Sequence, residues 1–169
     1  MPSLRLAAVG TNAAPAKGAL VELWELEARE SIRILVTRYN SNGDSARFDQ
    51  VLELFAPDAV MELPDGVYEG IDGIKSIFTG TKGRLGDFGL ATGKHFYMRH
   101  STATHQVDLI DQTHAKGRCY YTVMMAHGVD HWGRYIDEYE CRDGKWLFTH
   151  RKVTMDGYVA DGFGAANDV

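Results

Sequence analysis

The stretch from Gly117 to Val153 contains three consecutive runs of strong strand formers. Tyr120, Tyr121, Thr122 and Val123 make the first. Trp132, Tyr135, Ile136 and Tyr139 make the second, and Trp146, Phe148, Thr149 and Val153 the third. Turn residues punctuate them at His127-Gly128-Val129-Asp130 and at Arg142-Asp143-Gly144, where Asp-Gly is the strongest short hairpin signal. The spacing predicts an antiparallel meander of long strands. Such a sheet must bury one face, so the rest of the chain has to supply its cover.

The first half supplies helices. From Ala19 to Asn40, the residues Val21, Trp24, Ala28, Ile32, Leu35, Val36 and Tyr39 recur at steps of three and four and form one apolar stripe. Tyr39 closes that stripe, so its ring is expected to point inward with a partner for its hydroxyl. Asn40-Ser41-Asn42-Gly43-Asp44 reads as a break, and Asp44 as an N-cap of a second helix over Phe48, Val51, Leu52 and Phe55, ended by Pro57. A short strand over 59–63 turns at Pro64-Asp65-Gly66 and pairs back through Val67-Tyr68-Glu69. A third helix begins at Gly70 with Ile71, Ile74, Ile77 and Phe78. Glycines at 80, 83, 86, 89 and 93 then read as a surface loop, without the order of a phosphate-binding loop. Strand character resumes from His95 to Leu109. Residues 1–18 read as a flexible arm, 19–156 as one domain and 157–169 as a loose tail. The architecture expected is α+β: three N-terminal helices packed on a strongly curved, mainly antiparallel sheet that encloses a pocket.

Charge and composition narrow the function. With 18 Lys and Arg against 23 Asp and Glu, the net charge of −5 argues against a nucleic-acid partner. No apolar run approaches a membrane span. Cys119 and Cys141 fall within strands and read as core or interface residues, consistent with a cytoplasmic setting. His127 and His131 flank a turn but lack a third convergent ligand, so no metal site is expected.

Alternation sorts the meander into two faces. Cys119, Tyr121, Val123, Met125 and His127 share one side of the first strand. Gly133, Tyr135, Asp137, Tyr139 and Cys141 share the matching side of the next, opposite the charged set Arg134, Glu138 and Glu140. The first set is expected to line the pocket, with Trp24, Phe55 and Phe96 as further apolar walls. His100 is the candidate base, and it needs a carboxylate to orient it. Asp44 and Asp137 are both candidates.

The ordered set Arg38-Tyr39, Asp44, Phe48-Asp49, Leu54-Phe55-Ala56-Pro57-Asp58-Ala59, Tyr68-Glu69-Gly70, Arg99-His100, Gly133-Arg134-Tyr135, Asp137-Glu138-Tyr139 and Asp143-Gly144-x-Trp146 resembles the SnoaL-like branch of the nuclear-transport-factor-2 superfamily. That branch includes dehydratases and a dehydrochlorinase that use no metal or organic cofactor. The resemblance implies a lyase or isomerase acting on a small hydrophobic ring compound such as a polyketide, steroid or aromatic catabolite. By position, His100 would be the base, Asp44 its partner and Tyr39 the phenol that polarises the substrate. Met125 stands where some dehydratases carry a second pocket histidine, and His127 is the nearest replacement donor. The resemblance equally implies an alternative, a non-catalytic binding or assembly module, and in either case a homo-oligomer, dimer or trimer, that uses the face with Arg134, Ile136 and Glu138.

Overall fold

The computed structural model describes residues 20–92 and 97–165, and for 81–92 little more than the backbone. The arm expected at 1–18, Phe96, His95 and residues 166–169 lie outside the described residues. Three helices, α1 (Leu23–Gly43), α2 (Phe48–Leu52) and α3 (Gly70–Thr92), precede or interleave with six strands. The strands are β1 (Phe55–Leu63), β2 (Gly66–Glu69), β3 (Arg99–Leu109), β4 (His114–Met125), β5 (Gly128–Arg142) and β6 (Lys145–Tyr158). They form one sheet in the order β2-β1-β6-β5-β4-β3. All pairings are antiparallel except β1 with β6. The expected α+β cone is the fold observed. No helix among the described residues is long and apolar enough to cross a membrane.

The meander forms as its turn chemistry dictates. Asp143 and Gly144 both adopt positive φ, 52° and 78°, the combination a two-residue primed hairpin requires. Its faces also sort as expected: Cys119, Tyr121, Val123, Met125, Tyr135, Asp137 and Tyr139 are buried, while Arg134, Ile136 and Glu138 are exposed. The curvature comes from register slips: three residues between β1 and β6, and one residue between β3 and β4, between β4 and β5, and twice between β5 and β6.

Several boundaries differ from expectation. Helix α1 continues to Gly43, and Asp44 is its C-cap rather than the N-cap of α2, which starts after Arg47. Phe55 and Pro57 belong to β1, where the slip against β6 leaves room for a residue without an N–H. The glycine-rich segment is helical through Thr92. Glycine lowers helix propensity by about 1 kcal/mol but does not forbid the conformation, and no proline interrupts 70–92. The tail is not loose from 157 onward. Strand β6 runs to Tyr158, and Gly162, Phe163 and Gly164 are buried against β5.

Arg151 of β6 sits at the centre of the core with its side chain fully buried. Its Nε and Nη2 donate to the two oxygens of Asp137, each at 2.8 Å, and Tyr139 donates its hydroxyl to the same carboxylate at 2.8 Å. The guanidinium lies over the rings of Tyr39, Phe148 and Tyr135 at 4.1, 4.1 and 4.3 Å. Burial opposes this charge, and the facing carboxylate outweighs it, so Arg151 is held firmly protonated. Arg151→Met strands a buried Asp137 and is expected to destabilise the fold by about 3–5 kcal/mol, whereas Arg151→Met combined with Asp137→Leu recovers most of that loss. Denaturant melts of the two variants check this.

Candidate active site

Helix α1 ends beside β3, one of the two edge strands of the sheet. An edge strand presents N–H groups that no neighbouring strand pairs. The His100 amide is one of them, and it donates to Oδ2 of Asp44 at 2.9 Å. The other carboxylate oxygen, Oδ1, takes the His100 ring at Nδ1, 2.6 Å away. One carboxylate therefore grips the same residue twice, fixing both the backbone and the imidazole. With the carboxylate accepting at Nδ1, the neutral imidazole carries its proton there and keeps its lone pair on Nε2. The pair is sheltered yet reachable, with 9% of the Asp44 side chain and 22% of the His100 side chain exposed.

From His100 a series of rings runs into the core. Tyr121 lies 6.2 Å from the imidazole, stacks on Tyr135 at 4.7 Å, and Tyr135 meets Tyr39 edge-on at 6.0 Å. Each phenol is anchored. Tyr121 donates to the Thr154 carbonyl at 3.1 Å and Tyr135 to Asn40 Oδ1 at 3.3 Å. Gly133 makes the first bond possible: a Cβ there would sit 1.8 Å from the Thr154 oxygen and 2.9 Å from the Tyr121 hydroxyl. Tyr39 is enclosed by Phe55, Phe78, Tyr135 and Phe148. Burial raises its pKa, with Arg151 pulling the other way, so it stays a neutral phenol at physiological pH.

The candidates resolve unevenly. Asp44 stands against His100, whereas Asp137 is taken up by Arg151 and Tyr139, so Asp137 is a core residue and not the partner of His100. Phe55 lines the inner wall of β1 against Tyr39, and Met125 is buried at the end of β4. Trp24 lies in the first turn of α1, about 22 Å along the helix axis from Tyr39, and does not belong to the His100 end. His127 does not replace a lost donor opposite His100, because its Nε2 faces Oδ2 of Asp130 at 3.1 Å. Burial pushes the Cys119 thiol up to about 11, so it is a packing group, not a nucleophile.

Arg151 is not singled out by the sequence, and His131 is weighed there only as a metal ligand beside His127. Its Nδ1 lies 2.6 Å from Oδ1 of the fully buried Asp130. His131 shares the inner parity of Gly133 and Tyr135, so its orientation was readable, but its position beside a hairpin suggested a turn residue. Asp130 also accepts from the backbone N–H groups of Phe163 and Gly164 at 2.7 and 2.8 Å, and so holds the C-terminal segment against the sheet.

The SnoaL-like domain model matches residues 24–152, so the chain belongs to the SnoaL-like family. Solved structures agree on the fold. A candidate scytalone dehydratase from Novosphingobium aromaticivorans is 19% identical with a TM-score of 0.66, over 80% of this chain and 89% of that one. The hexachlorocyclohexane dehydrochlorinase LinA type 3 of Novosphingobium barchaimii is 17% identical with a TM-score of 0.65, over 81% and 92%. A protein of unknown function with a cystatin-like fold from Nostoc punctiforme is 20% identical with a TM-score of 0.63, over 76% and 90%. No curated protein sequence matches.

The fold carries a pH signature. Burial lowers the pKa of both His105 and His131, in each case against a nearby carboxylate that pulls it back. A depressed histidine binds fewer protons folded than unfolded, so stability is complete above the unfolded value of about 6.5 and falls as pH drops below it. Unfolding free energy is expected to decline between pH 7 and 5. The slope flattens in His131→Asn, as chemical denaturation at each pH would reveal.

Proposed function

We propose that the chain is a cofactor-independent lyase or isomerase for a small hydrophobic ring compound, with His100 as its general base. The observation that carries this is the double grip of Asp44 on His100, which leaves Nε2 as the acceptor in a partly exposed position beside aromatic walls. In this mechanism the ring substrate lies against Tyr121 and Tyr135. His100 Nε2 removes a proton from a carbon next to an activating group, and Asp44 stabilises the imidazolium that results. The electron pair then forms the new double bond, with departure of a leaving group or return of the proton at another carbon. Tyr39, which the resemblance assigns to polarising the substrate, lies behind Tyr135 and closes the inner end of this wall as a neutral phenol. The dehydratase and dehydrochlorinase among proteins of the same fold support an elimination.

We further propose that copies associate through the outer sheet face around Arg134, Ile136 and Glu138, where Ile136, Tyr120 and Trp132 are exposed at 41%, 55% and 39%.

The base is tested with 5-nitrobenzisoxazole, a flat apolar ring that opens when one C–H proton is removed. The wild-type protein is expected to accelerate its opening over buffer. His100→Gln should lower the rate about 100-fold or more and Asp44→Asn about tenfold, with unchanged melting temperatures. Equal rates for wild type and His100→Gln would remove the base and leave a binding or assembly module.

A further inference from the structure

His131 and His100 both pair across the sheet with Val123, one from each side. Directly paired residues share a face, so both imidazoles project to the concave side, with backbones about 10 Å apart at two strand spacings. Tyr121 lies between them, 6.2 Å from one ring and 6.1 Å from the other. Each imidazole is held at Nδ1 by its own carboxylate at 2.6 Å, Asp44 for His100 and Asp130 for His131.

The second pair exists because of a bulge. The register slips by one residue between Val123 and Met124, so Asp130 is the extra residue of β5. Neighbours on a regular strand face opposite ways, but here Asp130 and His131 lie together. Asp130 takes three donors, the His131 ring and the Phe163 and Gly164 amides, and His127 Nε2 lies 3.1 Å from its Oδ2. Those donors outweigh the effect of its burial and keep it ionised. A carboxylate satisfied in this way fixes His131 as the Nδ1–H tautomer. Its Nε2 is on the opposite edge of the ring and has no partner among the described residues, although 12% of the side chain is exposed. A histidine needed only to pin the C-terminal segment would not add to an anchor that Asp130 already makes through two backbone amides.

Resting on the base proposed above, we infer that His131 Nε2 is the acceptor for a hydroxyl group of the ligand, so that the pocket selects hydroxylated ring compounds. The ring spans the gap over Tyr121, presents its C–H to His100 and donates its O–H to His131. Burial and the neighbouring His100 keep His131 neutral near pH 7, which preserves the acceptor lone pair. Asp130 acts through His131 and is a positioning residue.

The test uses the full chain at pH 7 with 2-naphthol and naphthalene, one ring system with and without the hydroxyl, their binding followed by fluorescence. Wild type is expected to bind 2-naphthol about three- to tenfold more tightly than naphthalene, the range of one hydrogen bond. His131→Asn keeps a side-chain N–H for Asp130 but lacks Nε2. It should lose that preference while retaining wild-type affinity for naphthalene and the wild-type melting temperature. His100→Gln should keep the preference. Equal affinity for the two rings in wild type, no binding of either, or a preference that survives in His131→Asn would overturn the inference. A preference lost in His100→Gln alone would move the hydroxyl to His100, and would overturn this assignment without touching the benzisoxazole result on which the base depends.

Discussion

The ion pair of Arg151 and Asp137 is the constraint around which the interior is arranged. Two charges without solvent contact are costly to desolvate, and their geometry must return that cost. Here the carboxylate receives two guanidinium bonds and a phenol, and three aromatic faces cover the cation. Those faces belong to α1, β5 and β6, so the pair ties the first helix to the middle of the sheet. A hydrophobic core of equal volume could provide the stability. What the ion pair adds is a fixed placement for Tyr39 and Tyr135, the inner end of the ring series that leads outward to His100.

From that fixed interior the site follows by short steps. Tyr135 supports Tyr121, Gly133 lets the Tyr121 hydroxyl reach Thr154, and Tyr121 lies between the two imidazoles. The carboxylates arrive from different directions: Asp44 from the end of α1, and Asp130 from a bulge in the sheet itself. Each holds Nδ1 and leaves Nε2 toward the concave side. The same bulge carboxylate gathers the C-terminal segment, so the second imidazole and the end of the chain share one anchor.

How much of this was legible depended on whether the local period survived. Strands β4 and β5 keep strict alternation over the residues that mattered, and Tyr121, Tyr135 and Asp137 were placed inward from sequence alone. Arg151 was missed because β6 does not keep it. Phe148 pairs with Tyr139 but His150 pairs with Glu138, so Thr149 is an extra residue and the inward set shifts from Trp146 and Phe148 to Arg151 and Val153. Counting by twos from Trp146 puts Arg151 outside. Asp130 was hidden by the same kind of slip. The glycine-rich half of α3 read as a loop because propensity there is weak, and nothing local announces that the chain stays helical. Asp44 and His100 stand far apart in sequence, so no spacing rule pairs them. The family resemblance points to Asp44, and the bonds of Asp137 to Arg151 remove the alternative.

In the proposed mechanism Asp44 sets the state of His100. The measurement that tests it most directly is the side-chain nitrogen NMR spectrum of His100 at neutral pH, in wild type and in Asp44→Asn. The neutral ring in wild type is expected to show a protonated Nδ1 and a bare Nε2. The variant, where an amide can donate to Nδ1, is expected to show the reverse tautomer or a mixture. Identical nitrogen shifts in the two proteins would rule out this role for Asp44.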